Sequence, residues 1–328
     1  MDQQRGAVLN GLCLTPGGAA MTDNAHERMA ICITVFSPDN DLFNDLLAAI
    51  DPSFLVILHI DGPTGEAIRA DQLAALTATG RYRILQAPCN RGIGAALNRM
   101  LAETREQGRE WVLFFDQDSA PAPDLPEKLL AAFSFLRKAG HHPAVVGPTP
   151  IADEGQTSKS PSYRERSLSS SSDRYRAVDY VITSGSLIRL SALDDVGLFR
   201  EEYRMDAIDT EWCFRAWAAG YSVWHVRDVT MRHRVGEGVI QFGPIRFPRQ
   251  SRSRMQSYAR NQFHLLRLGH VPLGWKLRTV VYVPLQIAVF IMQTPGHRVR
   301  FAGRMLRSLW DGLSGRLGQT AARDRQRD

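Results

Sequence analysis

Two carboxylates follow the most apolar stretch of the chain and are the first candidates for chemistry. Residues 112–115 form an apolar run without polar alternation, which predicts a strand covered on both faces, and Asp116 and Asp118 come directly after it. Side chains alternate along a strand, so these two acids can lie on the same edge. Their oxygens suit Mg²⁺ or Mn²⁺ shared with a substrate phosphate. A lone Asp-x-Asp also occurs as a solvated turn, and that alternative stays open here.

Two further predicted strands end in polar residues. Asp61 follows the apolar run at 54–60, where its carboxylate can accept hydrogen bonds from a nucleobase or ribose, although Asp before Gly is also an ordinary turn. A strand predicted at 178–183 ends in small residues that can offer backbone N–H groups to a phosphate or sugar hydroxyl: Thr183, Ser184 and Gly185. Ligands of open α/β sheets bind beyond the carboxyl ends of the strands, so we expect these groups near one another.

A glycine-containing helix start and a dense acidic cluster complete the set. The segment 90–98 contains residues that can cap a helix or let its backbone approach part of a nucleotide: Asn90, Gly92, Gly94 and Asn98. Glycine also serves tight helix packing, and that alternative stays open. Asp209 stands at the start of an amphipathic helix, where it is a candidate base or an N-cap. Glu211 and Arg215 are spaced for an i,i+4 ion pair.

Strands and helices alternate from residue 31 to residue 147, which predicts an α/β sheet with crossover helices. The 328-residue chain has four scattered cysteines, which indicate reduced thiols in a cytoplasmic setting. Residues 1–29 are predicted to be flexible, and the polar stretch at 155–176 a mobile loop. The charge is uneven: residues 246–328 hold 16 Lys and Arg against 3 Asp and Glu, and the rest holds 24 against 31. The basic tail predicts an anionic partner.

The order of these motifs resembles that of the family-2 inverting glycosyltransferases, and most closely the bacterial rhamnosyltransferases of polysaccharide assembly. The resemblance runs from about residue 31 to residue 267. It depends on short segments at 90–98, 115–119, 183–186, 205–215 and 220–221, on His233 with Gly236, and on Arg260-Asn261. It implies a nucleotide-sugar-binding, Rossmann-like mixed sheet of the GT-A type.

The resemblance also implies roles for particular residues. It assigns Asp116 and Asp118 to a divalent metal and the donor diphosphate, with His233 as a candidate third ligand. Asp209 becomes the general base. The implied donor contacts are Asp61, Asn90, Gly92, Gly94, Asn98 and Gln117. The implied acceptor contacts are Thr183, Ser184, Gly185, Asp206, Glu211 and Trp212.

We therefore predict a catalytic domain at 30–245 and a basic, helical extension at 246–328. The apolar run at 279–294 has 16 residues, fewer than the about 20 of a spanning helix, which favours an interfacial segment on the inner face of the cell membrane. A helical subdomain that packs on the core is the alternative. The predicted activity is metal-dependent transfer of a sugar to a lipid-linked or polysaccharide acceptor. The first candidate for the sugar is rhamnose, with dTDP-rhamnose as its donor.

Two other functions are weighed against this one. A sugar-nucleotide nucleotidyltransferase also pairs acids around Mg²⁺, but it would need a basic loop near 37–45, and that segment has no Lys or Arg. A nucleic-acid-binding protein would use the basic tail. The apolar run in that tail favours a membrane surface instead, so no nucleic acid is expected as a partner.

Overall fold

The computed structural model describes residues 25–151, 163–168, 172–232, 239–242, 245–293, 296 and 298–317. The strands are β1 Met29–Val35, β2 Leu55–Ile60, β3 Tyr82–Gln86, β4 Trp111–Asp116, β5 Ala120–Pro121, β6 Pro143–Ile151, β7 Tyr175–Ala177, β8 Leu187–Arg189, β9 Ser222–Arg232, β10 Val239–Phe242 and β11 Ile245–Pro248. The helices are α1 Ala25–Arg28, α2 Asn40–Ala49, α3 Ala70–Ala78, α4 Ile93–Glu106, α5 Leu125–Lys138, α6 Ala192–Val196, α7 Ile208–Ala218, α8 Arg252–Leu265, α9 Leu273–Gln293 and α10 Arg298–Ser314. A 3₁₀ helix at Glu201–Tyr203 lies between α6 and α7.

The first nine strands form one mixed sheet, in the order β3-β2-β1-β4-β8-β6-β9-β5 with β7 paired on β9. β1 to β4 pair in parallel, whereas β8 runs antiparallel to both of its neighbours, β4 and β6. The carboxyl ends of β1, β2 and β4 therefore meet the amino end of β8 at one edge of the sheet. This topology confirms the predicted mixed α/β fold.

Helices cover both faces of the sheet, which explains the apolar run before the two acids. Along β4, Leu113 and Phe115 face a core with α2 and α5, while Val112 and Phe114 face a core with α4, α6 and α7. All four side chains are nearly or fully buried. Full burial of each stabilises the fold by about 1.5–3 kcal/mol, so a polar residue at any of these positions would be costly.

The prediction of a strand at 178–183 is wrong. β7 pairs with β9 at 175–177 only, and Val178 adds one isolated bridge to Glu165. From there the chain leaves the edge of β9 to reach β8 in the middle of the sheet. Asp179 instead accepts a hydrogen bond from Arg166 at 2.6 Å. Half of the predicted mobile loop, at 155–162 and 169–171, and residues 1–24 of the predicted flexible N-terminus lie outside the described part. Residues 25–29 form α1 and the start of β1 instead, and Ala25 and Met29 are buried.

The C-terminal segment shares a core with the sheet domain. Leu265 of α8 and Val271 pack in the same apolar cluster as α4 and α7. A second cluster joins the β10–β11 hairpin to α8, α9 and α10 through Phe247, Phe263 and Phe290, among others. This is the packed helical subdomain that the sequence left as an alternative.

α9 extends beyond the predicted apolar run. It spans 21 residues, and among the described residues it is the helix long and apolar enough to cross a membrane. One third of its most apolar window is buried, and Pro284 lies inside it. Several of its large apolar side chains are exposed: Leu273, Leu277, Val280, Val281, Leu285 and Met292. By length and composition alone, the helix is weak support for membrane association.

Two glycines of α10 make a matched pair for testing the packing of this subdomain. A Cβ on Gly312 would lie 2.2 Å from the carbonyl oxygen of Arg260, whereas a Cβ on Gly303 would meet nothing within 4 Å. We expect Gly312→Ala to lower the free energy of unfolding by about 1–3 kcal/mol through overpacking. Gly303→Ala should raise it by about 0.5–1 kcal/mol, because alanine loses less backbone entropy. Urea unfolding measures both, and equal effects would contradict the packing of α10 on α8.

Candidate active site

Hydrogen bonds with the turn before β8 hold the acidic segment that follows β4. Ser184 Oγ accepts a hydrogen bond from the N–H of Asp116 at 3.3 Å and lies 2.6 Å from Ser119 Oγ. The N–H of Gly185 donates to the carbonyl of Phe114 at 2.7 Å. Because Ser184 and Ser119 are both 2% exposed, these contacts are internal. Thr183, Ser184 and Gly185 were expected to bind the acceptor, but the contacts of Ser184 and Gly185 hold the acids in place.

The amide of Gln117 is also used internally. Its Oε1 accepts from the N–H of Phe36 at 2.7 Å and its Nε2 donates to the carbonyl of Phe36 at 3.0 Å, so it joins the end of β4 to the end of β1. The amide of Gln117 therefore already has internal partners, and its contact with a donor stays a prediction. By contrast, the carboxylate of Asp118 makes no hydrogen bond or ion pair with the described residues. Asp116 and Asp118 are both half-buried, so their oxygens remain within reach of a ligand.

Asp61 orders the loop that leads into α4. Its carboxylate is 2% exposed and accepts hydrogen bonds from the N–H groups of Arg91 and Gly92, at 2.8 and 2.9 Å. The Asn90 side-chain and main-chain oxygens both accept from Arg204 Nη2 at 2.9 Å. Asp61 and Asn90 therefore stand at the expected edge of the sheet with internal partners already in place. Their contacts to a donor stay predictions.

The start of α4 is packed against the chain that enters α7, not open to a phosphate. A Cβ on Gly92 would lie 2.6 Å from the carbonyl oxygen of Arg204, and one on Gly94 would lie 2.8 Å from that of Arg200. The N–H of Ile93 already donates to the carbonyl of Arg204 at 2.6 Å. Asn98 is buried and exchanges hydrogen bonds with the backbone of Phe199. Close packing thus uses Gly92, Gly94 and Asn98, as the sequence left open for the glycines, and their donor contacts stay predictions.

Asp209 combines burial with nearby negative charge. Burial raises its pKa to about 6, against the hydrogen bonds that its Oδ1 accepts from Thr210, and the carboxylates of Asp206 and Asp116 add to the rise. The same carboxylate contributes to the raised pKa of Tyr163 and Tyr180. The structure thus brings Asp209 near Asp116, although the two are far apart in sequence. A carboxylate with this pKa is ionised at neutral pH and remains basic enough to take a proton.

Asp206 lies beside Asp209 and is held by a cation. Arg254 Nε and Nη2 both lie 3.2 Å from its Oδ1, and its side chain is 9% exposed. Its Oδ2 is buried and has no hydrogen-bond partner among the described residues. Burial raises the pKa of Asp206, and the Arg254 guanidinium opposes that rise. Its place in the acceptor site stays a prediction. The sequence did not indicate Arg254.

Glu211 and Trp212 cannot contact an acceptor. Glu211 is fully buried between Arg200, Arg215 and His270, at 2.9, 2.9 and 3.0 Å. Burial alone would raise its pKa, but His270 and the two guanidinium groups hold that pKa at about 2. Trp212 is 1% exposed and its Nε1 donates to the carbonyl of Gly197 at 2.8 Å. The i,i+4 ion pair, left as an alternative, is the observed role of Glu211.

His233 lies outside the described residues, and within the described part no group of three or more His, Cys, Asp or Glu side chains could hold a metal ion. The oxygens of Asp116 and Asp118 still fit one kind of site. Mg²⁺ is commonly held by one or two carboxylates together with substrate phosphates, and no dedicated protein cage is required. The residues present therefore fit a divalent cation shared with a bound diphosphate.

The mixed Rossmann-like sheet, with two acids after a central strand, is a fold of the GT-A type. The model of "Glycosyl transferase family 2" matches residues 41–197. The dTDP-rhamnosyl transferase RfbF of Shigella flexneri is 25% identical over 292 residues, which cover 87% of this chain and 95% of that protein. Residues 41–197 therefore match a family-2 glycosyltransferase domain, and the chain as a whole is similar to a dTDP-rhamnosyl transferase.

Two solved structures share the fold. S. aureus TarS 1–349, solved with UDP-GlcNAc, has a TM-score of 0.54 at 17% identity, covering 87% of this chain and 80% of TarS 1–349. GalNAc-T7, solved with UDP, GalNAc and Mn²⁺, has a TM-score of 0.51 at 10% identity, covering 91% of this chain and 57% of the GalNAc-T7 chain. At these identities the likeness concerns the fold alone.

The two acids of α7 should respond to neutralisation in opposite ways. We expect Asp209→Asn to raise Tm at pH 7 without added divalent cation, because the buried charge that destabilises the fold is removed. The group has a pKa of about 6 when folded and an ordinary value of 3.8, so this gain should shrink as pH falls from 6 to 4. Differential scanning fluorimetry from pH 4 to 7.5 measures it.

Glu211→Gln is the matched control on the same helix. Its folded pKa of about 2 lies below the ordinary 4.5, so its ionised form stabilises the fold at neutral pH, and this contribution declines as pH falls from 4.5 and is lost below about 2. The variant should therefore lower Tm at pH 7. A gain in Tm for Glu211→Gln, or a pH-independent gain for Asp209→Asn, would contradict the electrostatics of α7.

Proposed function

We propose that the protein is a metal-dependent, inverting rhamnosyltransferase that uses dTDP-rhamnose. The observation that carries this proposal is the position of Asp209, a carboxylate with a raised pKa beside the acids that follow β4. The similarity to a dTDP-rhamnosyl transferase over most of both chains supports the donor. TarS and GalNAc-T7, which share the fold, were solved with UDP-GlcNAc and with UDP and GalNAc, which supports a nucleotide-sugar donor in general.

The residues support a single displacement at the anomeric carbon. Asp209 takes the proton of an acceptor hydroxyl while that oxygen forms a bond to the anomeric carbon from the face opposite the nucleotide. The bond from the anomeric carbon to the phosphate oxygen breaks, and its electron pair leaves with the nucleoside diphosphate. One displacement inverts the configuration, by the geometric logic that applies to inverting glycosidases.

Asp116 and Asp118 would hold Mg²⁺ or Mn²⁺, which neutralises charge on the leaving diphosphate. The internal contacts of Ser184 and Gln117 orient these acids at the sheet edge. His233 stays a candidate third ligand. Asp61 and Asn90 are proposed for the donor, and Asp206, with its unpartnered Oδ2, is proposed for the acceptor.

The extension is proposed to hold the enzyme on the inner face of the cell membrane, beside a lipid-linked or polysaccharide acceptor. The exposed apolar residues of α9 continue on α10 with Val299, Leu306 and Trp310, which are 88%, 67% and 62% exposed. Basic residues accompany them on both helices: Lys276, Arg278, Arg298, Arg300 and Arg307. Apolar side chains together with cations are suited to an interface of anionic lipids.

Nucleotide release from a donor panel tests the reaction. We expect release from dTDP-rhamnose with Mn²⁺ or Mg²⁺ and a membrane lipid extract, and little release from UDP-sugars or GDP-mannose. Asp118→Ala should weaken metal-dependent nucleotide binding, whereas Asp209→Asn should abolish transfer and leave donor binding intact. No release from any donor with any metal would exclude a transferase of this type. Turnover by Asp209→Asn near that of the wild type would exclude its role as base.

Vesicle co-sedimentation tests the membrane surface. We expect binding to vesicles of phosphatidylglycerol and phosphatidylethanolamine, release by high salt, and little binding to phosphatidylcholine alone. Leu277→Glu with Val281→Glu should weaken binding, because both side chains are largely exposed apolar residues of α9, at 62% and 72%. Leu198→Glu, at a leucine that is 54% exposed before the 3₁₀ helix, is the control. Equal loss in both variants, or none in either, would contradict a surface on α9.

A further inference from the structure

Residues 203–207 enter α7 through a turn with an unusual backbone. Arg204, Asp206 and Ala207 have φ values of 58°, 48° and 68°, in the left-handed region that residues with a Cβ rarely adopt. Such conformations persist only where surrounding contacts over-determine them, and they cluster at functional sites. This turn ends two residues before Asp209, so its shape sets the direction in which that carboxylate points.

Asn261 of α8 holds this turn from the opposite side. Its side chain is fully buried, and its Nδ2 lies 2.9, 2.7 and 2.9 Å from the carbonyl oxygens of Tyr203, Met205 and Asp206. Its Oδ1 accepts a hydrogen bond from Arg260 Nε at 3.0 Å. Because a guanidinium can only donate, this bond fixes which end of the amide faces the carbonyls. Three carbonyl oxygens of one turn thus converge on a single amide group.

Neighbouring contacts hold the same turn but leave a distinct task to Asn261. Arg260 Nη2 reaches the carbonyls of Glu202 and Tyr203 at the longer distance of 3.4 Å. Arg254 holds the side chain of Asp206. Among these α8 side chains, only Asn261 binds the backbone at 205 and 206, where the chain changes direction into α7. None of its contacts involves Asp61, Asp116 or Asp118.

We propose that Asn261 is a positioning residue for the transfer reaction, which locks the turn at 203–207 so that Asp209 faces the reacting atoms. The inference rests on the proposed function for the role of Asp209 as base, and it does not depend on which sugar is transferred. It also gives the Arg260-Asn261 pair a task that its position in the sequence did not reveal. The C-terminal helices are then part of the catalytic apparatus and not only a membrane attachment.

The test compares Asn261→Ala and Asn261→Asp with the full-length wild type. Asn261→Asp keeps the size of the side chain and loses the donor that the three carbonyls share. Calorimetry counts the sites that bind donor, so that kcat refers to folded enzyme only. We expect kcat to fall about 100-fold, because a misplacement of about 1 Å has that effect. The donor Kd should change far less than kcat, because Asn261 binds the carbonyls of 203, 205 and 206 and not Arg204, whose guanidinium holds Asn90. Deuterium exchange of residues 203–210 should become faster.

Phe133→Leu is the control for a loss of stability alone. Phe133 is 1% exposed and packs edge-on against Trp111 at 4.5 Å between ring centres, in the core on the other face of the sheet. This variant should lower Tm and leave both kcat and the exchange of 203–210 unchanged. If Asn261→Ala does not yield folded protein, Asn261→Ser takes its place with the same readouts. Folded Asn261 variants with wild-type kcat, or with wild-type exchange at 203–210, would overturn the proposal.

Hydrogen exchange needs no donor, so it separates this proposal from the proposed reaction. Unchanged exchange at 203–210 in the Asn261 variants overturns the role of Asn261, whatever the activity. Faster exchange in those variants, with no turnover of any donor by the wild type, overturns the reaction and supports the hold of Asn261 on the turn.

Discussion

The left-handed turn at 204–207 is the constraint on which the candidate active site depends. Each non-glycine residue in such a conformation costs on the order of 1–3 kcal/mol, so the surrounding structure must offset several kcal/mol locally. Contacts from distant parts of the chain do so. Ile93 and the space at Gly92 fix the backbone of Arg204 from α4, and Asn261 fixes the next carbonyls from α8. The sheet and the C-terminal helices therefore act as one unit around the start of α7.

The two acids of α7 show how environment decides the chemistry of identical groups. Glu211 is surrounded by two arginines and a histidine, which makes its carboxylate a permanent anion with a structural task. Asp209 is half-buried and lies near other carboxylates, so its charged form is destabilised and its proton affinity rises. A general base needs an environment like that of Asp209, because a raised proton affinity lets the carboxylate take a proton. The cost in stability at Asp209 and the gain at Glu211 belong to the same helix, two residues apart.

Much of the fold could be predicted from local patterns. The uninterrupted apolar run at 112–115 reflects a strand with a core on each face, and the alternation of strands and helices predicted from residue 31 to residue 147 is observed. The glycines show where local patterns stop. Gly92 and Gly94 suited either approach to a nucleotide or tight helix packing, and another segment of backbone lies against them. Sequence spacing shows that a glycine is required and cannot show what approaches it.

The sequence by itself determined the alternating elements, the acids at the end of β4 and the resemblance to family-2 glycosyltransferases, because these depend on residue types at short spacing. Only the tertiary structure decided which polar residues are free to act. Gln117, Asn98 and Glu211 are chemically suited to binding, and each is fully engaged by partners from distant parts of the chain or from its own helix. Asn261 had no evident task in sequence. Its role follows from a turn 55 residues earlier, whose backbone conformation no local pattern reveals.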